Sequence, residues 1–119
     1  MATTTNEIFY SLPIYDVYSI IGDDGLVNVI SGVTDLDPSI VYVIILYNYN
    51  YIEIDNNMSV NEFIEDILPD LVLNFYNDLR NLKVSFSLLL PNLLPEEINY
   101  AIVNIKDYLI SKDKIDVII

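Results

Sequence analysis

The chain contains no cysteine and no histidine. Without cysteine there are no disulfides, thiolate nucleophiles or zinc–thiolate sites. Without histidine, the commonest general base near neutral pH, the commonest transition-metal ligand and every Ser–His or Cys–His pair are missing as well. Glycine occurs only at positions 22, 25 and 32, a spacing that matches no phosphate-cradling loop. Basic side chains are distributed unevenly. Residues 1–79 hold thirteen Asp and Glu and no Lys or Arg, whereas residues 80–119 hold five of each sign, so the net charge of −13 belongs wholly to the first two thirds. That balance argues against direct binding of nucleic acid, whose phosphates are met by Lys and Arg. Ile, Asn and Tyr are abundant and have AT-rich codons, as befits a viral or mobile-element gene in an AT-rich genome. Lysine codons are AT-rich too, however, so base composition does not explain the missing lysine. Attraction to a cationic partner does. The competing explanation is that a large net charge keeps a very apolar domain in solution.

What is present is chiefly hydrophobic: apolar residues make up 53% of the chain and the mean hydropathy is +0.40. At 119 residues this is enough for one core. The longest apolar run, Ile40 to Tyr47, has eight residues, against the roughly 20 a membrane-spanning helix needs, so no membrane partner is expected. The opening "MATTTNEIFYSLP" has neither a basic region nor a long apolar stretch, which predicts a cytoplasmic protein.

Local patterns predict an α+β fold: a mostly antiparallel sheet with helices packed on one face, in a single domain over residues 7–119 after a disordered end at 1–6. "YDVYSIIGDDGLVNVISGV", residues 15–33, reads as a β-hairpin about Gly22-Asp23-Asp24-Gly25. Pro38 in "TDLDPS" forbids ladder pairing. Ile40 to about Ile54 reads as strand on its β-branched content, with a turn or exposed edge near Asn48 to Asn50. Ser59-Val60-Asn61-Glu62 is a capping box, and Val60, Phe63, Ile64, Ile67 and Leu68 then recur at helical spacing. Pro69 predicts a kink or a new helix over 70–82. "KVSFSLLL", residues 83–90, alternates as a strand does. Pro95 suits the first turn of a helix that runs to about residue 110, with Glu96 and Glu97 favoured by its dipole. "KIDVII", Lys114 to Ile119, reads as a short last strand.

Carboxylates are the main chemistry available. Asp23, Asp24, Asp35 and Asp37 have the oxygen ligands a divalent ion takes, but turn aspartates more often bond their own backbone. Residues 55–66 mimic the spacing of an EF-hand loop and fail at its sixth position, where Val60 stands in place of glycine. No motif frames a carboxylate pair for glycosidase or aspartic-protease work. No enzyme, cofactor or resident metal is therefore expected. Glu62, Glu65 and Asp66 share one helix face at i, i+3 and i+4, where like charges repel by roughly 0.2–0.5 kcal/mol per pair. On one continuous strand Tyr47, Tyr49 and Tyr51 would point the same way as Glu53 and Asp55, with outward carboxylates ~6.7 Å apart, comparable to phosphates on a nucleic-acid strand.

These eight residues define the expected interface: Tyr47, Tyr49, Tyr51, Glu53, Asp55, Glu62, Glu65 and Asp66. Tyrosines would form its centre and acids its rim. The function expected is a small non-enzymatic module that docks on a basic protein, such as one that binds nucleic acid, and blocks it, as nuclease inhibitors and immunity proteins do. The alternative is an assembly protein that forms a homodimer or larger homo-oligomer through Tyr- and Ile-rich surface, its acidity serving solubility.

Overall fold

A computed structural model of the chain describes residues 9–52, 54–55 and 57–115, and at position 51 the backbone alone. Within these residues the fold is helical and contains no strand or sheet, which overturns the α+β expectation. The elements are α1 (Ile14–Thr34), α2 (Pro38–Tyr47), a 3₁₀ turn (Tyr49–Tyr51), α3 (Val60–Glu62), a π-helical segment (Phe63–Ile67), α4 (Leu68–Arg80), α5 (Phe86–Leu89) and α6 (Pro95–Ser111). The one β-type pairing among the described residues is an isolated antiparallel bridge between Pro13 and Ser59. It is made by Ile14 N–H donating to Met58 O at 2.8 Å and Val60 N–H donating to Leu12 O at 3.0 Å.

The expected hairpin is instead α1, broken at Gly22. The glycine supplies a positive φ as expected, but its angles (φ 73°, ψ −173°) turn one helical arm into another rather than reversing a strand. Ile14 and Val17 are buried from the first arm, and Val29 and Ile30 from the second. The helix ends at Asp35, left-handed at φ 64°, whose N–H donates to Ser31 O at 3.0 Å.

The expected strand from Ile40 is α2. Asp37 caps it by accepting the Ser39 N–H at 3.0 Å, and Pro38 occupies the first turn, where its missing N–H costs nothing. Burial falls on Ile40, Val41, Val43 and Ile44, with Tyr42 and Leu46 exposed. That is a helical pattern, since a strand would hide every second residue. Val and Ile lose at most ~0.7 kcal/mol each in a helix relative to Ala, and full burial outweighs this.

The Ser59 box forms as its sequence predicts: Ser59 Oγ accepts the Glu62 N–H at 3.1 Å, and Glu62 Oε1 accepts the Ser59 N–H at 3.4 Å. Pro69 stands in the first turn of α4 (Leu68–Arg80), the new helix that its sequence predicts. Its ring would meet the carbonyl of Glu65 in a regular α-helix, and the turn before it widens to a π-turn in which Leu68 N–H reaches Phe63 O. Helix α4 then buries Leu68, Leu71, Val72, Phe75 and Tyr76. The expected strand over 83–90 is a connection and the short α5: Val84 and Phe86 are buried, but Ser85 Oγ caps the helix at Leu88 N–H and Leu88 is 79% exposed. Helix α6 begins at Pro95 as expected, with Glu97 accepting the Leu94 N–H at 2.9 Å. Of the expected last strand, Lys114 and Ile115 are non-strand and the rest lies outside the described residues, as does the expected disordered end at 1–6.

Helices α1, α2, α4 and α6 enclose one core around Ile30, Ile44, Phe63, Phe75, Ile105 and Leu109. Phe75 sits between Tyr47 and Phe86 in edge-to-face contacts, with ring centroids 5.2 and 5.5 Å away. Asn104 of α6 ties down the α1–α2 corner, accepting the Asp37 N–H at 3.0 Å and donating to Asp35 O at 3.1 Å. No single helix among the described residues is long and apolar enough to cross a membrane; α1 and α2 reach that only as a pair, bent by 113°.

Candidate protein-binding groove

Of the eight residues expected to form an interface, six have described side chains. Tyr47 is half-buried: its ring packs on Phe75 and its hydroxyl donates to Asp78 Oδ2 at 2.5 Å. Tyr49, in the 3₁₀ turn, is 71% exposed. The side chain of Tyr51 and all of Glu53 lie outside the described residues. Asp55 is exposed and accepts the Asn57 N–H at 3.0 Å, a turn aspartate bonding its own backbone. Glu62 is held in the capping box. Glu65 accepts the Tyr10 hydroxyl at 3.2 Å and lies 4.0 Å from Lys112 Nζ. Asp66 is exposed with no such contact among the described residues. Lys114 Nζ meets the neighbouring Asp70 at 3.0 Å. Glu65 and Asp70 are therefore answered from within, by Lys112 and Lys114, and among the described residues the expected tyrosine-centred surface is not assembled.

A different surface is. Three adjoining hollows run along the outer side of α1, α2 and the start of α6. The first, of about 290 Å³, is lined by Tyr18, Asp23, Tyr42 and Tyr49 together with Leu26 and Leu46. The second, of about 380 Å³, adds Asp24 and Asn28 and shares Tyr42 with the first. The third, of about 200 Å³, shares Ser39 and Leu90 with the second and is bordered by Asp37, Glu96, Glu97 and Tyr100. Together the three hollows, taken as one groove, present five carboxylates and four tyrosines beside aliphatic side chains. Among the described residues no Lys or Arg lines it. No known family model, curated protein or solved structure matches the chain.

Local folding explains the carboxylates. Asp23 and Asp24 follow the break at Gly22 and open the second arm of α1, Asp37 caps α2, and Glu96 and Glu97 stand in the first turn of α6. Helix N-termini favour negative charge. Three of them meet along one groove, so a stabilising local preference, repeated, makes a shared acidic rim. Asp37 and Glu97 are engaged in caps, while Asp24 and Glu96 are exposed and accept no hydrogen bond from the described residues. The approach of the Asp23 carboxylate to the Tyr18 hydroxyl, first as acceptor and then as charge, holds that phenol above its ordinary pKa of 10.

Of the expected interface residues with described side chains, the groove contains only Tyr49. Tyr18, Asp23, Asp24, Tyr42, Glu96 and Tyr100 come from three elements, the neighbouring α1 and α2 and the distant α6. The signal in the sequence was tyrosine at the outward positions of α1 and α2, visible only once those stretches are read as helices. Among the described residues no three carboxylates gather to hold a metal ion, and Asp37, a candidate ligand by sequence, spends Oδ1 on the Ser39 amide and hydroxyl.

Proposed function

We propose that this chain is a small, non-enzymatic protein-binding module whose α1–α2–α6 groove takes a basic, amphipathic segment of a partner protein and thereby occludes it. The observation that carries the reading is the groove's lining: five carboxylates, four tyrosines and aliphatic side chains, without one cation among the described residues. Tyrosine provides rigid amphipathic contact area, aliphatic side chains accept apolar anchors, and acids of one sign steer and select a basic partner. A groove of this kind suits a segment with Leu- or Ile-type anchors on one side and Lys or Arg on the other.

A self-associating surface is the weaker reading. Exposed Ile20, Leu46 and Tyr49 would favour it, but Asp23 and Asp24 border the same area and two like copies would each carry −13. Sedimentation across a concentration series separates the two: a monomer at all concentrations supports the groove as a hetero-binding site.

The direct test is fluorescence anisotropy with a labelled amphipathic Lys–Leu peptide, with its Glu–Leu counterpart as control. The Lys peptide should bind, and the affinity should fall as NaCl rises. Combined Asp23→Asn, Asp24→Asn and Glu96→Gln, chosen because none of the three caps a helix, should weaken binding about tenfold or more while the helical circular dichroism is kept. Binding that ignores both salt and the triple change would remove the reading.

A further inference from the structure

We propose that the corner formed by Tyr18, Asp23 and Tyr49 is an arginine subsite, built to take one guanidinium of the segment that lies in the groove. The proposal rests on the groove reading above and adds to it which side chain the partner must present.

The geometry begins at Gly22. On an unbroken helix, residues five apart such as Tyr18 and Asp23 point roughly 140° away from each other. The glycine's positive φ redirects the chain, and Tyr18 and Asp23 come to line one hollow. Tyr49 reaches the same hollow from the 3₁₀ turn that follows α2. Both rings are accessible, Tyr18 at 46% and Tyr49 at 71% exposure, and Leu26 and Leu46 line the same hollow. The corner thus has two aromatic rings, one carboxylate and apolar side chains.

That combination distinguishes between the two long cations. A guanidinium is planar, weakly hydrated and able to stack on an aromatic face while its edge pairs with a carboxylate. An ammonium is compact and strongly hydrated, and in this corner it gains the charge of Asp23 but little from the rings. The aliphatic stem of arginine would cover Leu26 and Leu46. A metal ion would find a single carboxylate here, too few oxygens to hold it.

The test uses the full chain and two peptides of the same pattern, one Lys–Leu and one Arg–Leu, titrated at one ionic strength. The Arg peptide should bind about 5- to 30-fold more tightly. Tyr49→Ala, at an exposed position, should remove most of that preference, and Tyr49→Phe, which keeps the ring, should retain it. Equal affinity for the two peptides, or a preference untouched by Tyr49→Ala, overturns the subsite and leaves the groove reading standing. If neither peptide binds, both fall.

Discussion

The Tyr47 hydroxyl donates to Asp78 Oδ2 at 2.5 Å, across 31 residues of sequence, and so fastens the end of α2 to α4. The Tyr47 ring packs edge-on against Phe75 just inside that bond. Tyr47→Phe keeps the ring and removes only the hydroxyl, and should cost about 1–2 kcal/mol. Tyr47→Ala also empties the place beside Phe75 and should cost about 3–5 kcal/mol. Urea denaturation checks both. Peptide binding in the groove should be unchanged by Tyr47→Phe, because Tyr47 faces a different side of the molecule from Tyr42 and Tyr49.

Leu82 should be better replaced. It follows α4 in a left-handed conformation at φ 58°, with Leu82 N–H donating to Leu79 O and Lys83 N–H to Asp78 O, the pair of bonds with which a helix closes on a glycine. Its side chain is 91% exposed and offers little burial in return. Leu82→Gly should therefore raise stability by about 1 kcal/mol, and Leu82→Asn by somewhat less. A shift in the denaturation midpoint at constant slope would verify this. A loss of stability would mean that the leucine has a role its exposure does not reveal.

Gly22 should respond in the opposite sense. Its φ of 73° with ψ of −173° falls in a region occupied almost only by glycine, and a Cβ there would meet nothing within 4 Å, so the obstacle to substitution is the backbone alone. Gly22→Ala should cost about 1–3 kcal/mol. Because the same turn brings Asp23 beside Tyr18, a Gly22→Ala protein that still folds should also lose its preference for the Arg peptide over the Lys peptide.

Where local chemistry decided the structure, it could be read from the sequence. The Ser59–Glu62 box and Pro95 at a first turn mark helices without reference to the rest of the chain. Where burial decided, it could not. In α2 nearly every side chain is apolar, so no periodicity separates strand from helix, and the β-branched residues pointed to the wrong one. The cue that could have corrected this was Asp37-Pro38-Ser39, a capping aspartate followed by a first-turn proline, the same logic that placed α6. The misreading of α2 carried the interface with it. Tyr47, Tyr49 and Tyr51 share a face only on a strand, and on helical backbone Tyr47 turns into the core while Tyr49 turns out. The groove was legible only in part, since Glu96 and Tyr100 join Tyr18 and Asp24 through tertiary packing.

Tyr108 should govern the alkaline limit of stability. Its side chain is buried in α6, its hydroxyl has no hydrogen-bond partner among the described residues, and burial together with the charges of Glu65 and Asp70 pushes its pKa well above the ordinary 10. The folded state therefore holds the proton more tightly than the unfolded state, and its stabilising effect is complete below pH 10. Above that, the unfolded chain releases the proton first, and stability falls with rising pH until the folded pKa is passed. Tyr108→Phe should flatten this fall. At neutral pH the same change should leave stability unaltered or raise it by about 1 kcal/mol, because it removes a buried hydroxyl with no hydrogen-bond partner among the described residues. Denaturation series at pH 7 and above pH 10 would test both halves.

Salt should strengthen the fold while it weakens the binding. The net charge is −13, and the ion pairs among the described residues, Lys112–Glu65 at 4.0 Å and Lys114–Asp70 at 3.0 Å, are both at the surface, where such pairs contribute about 0–1 kcal/mol. Repulsion among the remaining acids is spread over the whole molecule, at separations that a Debye length of ~30 Å in 0.01 M salt leaves unscreened and ~3 Å in 1 M salt suppresses. Raising NaCl between those limits should increase Tm by about 3–6 °C, a gain of roughly 1 kcal/mol for a domain of this size. A fall in Tm would mean that the two attractive pairs outweigh the repulsion. Loss of peptide affinity over the same range cannot then come from unfolding, since the protein becomes more stable as binding weakens. The opposite signs of the two responses would isolate the carboxylates of the groove as the part of the charge that acts on a partner.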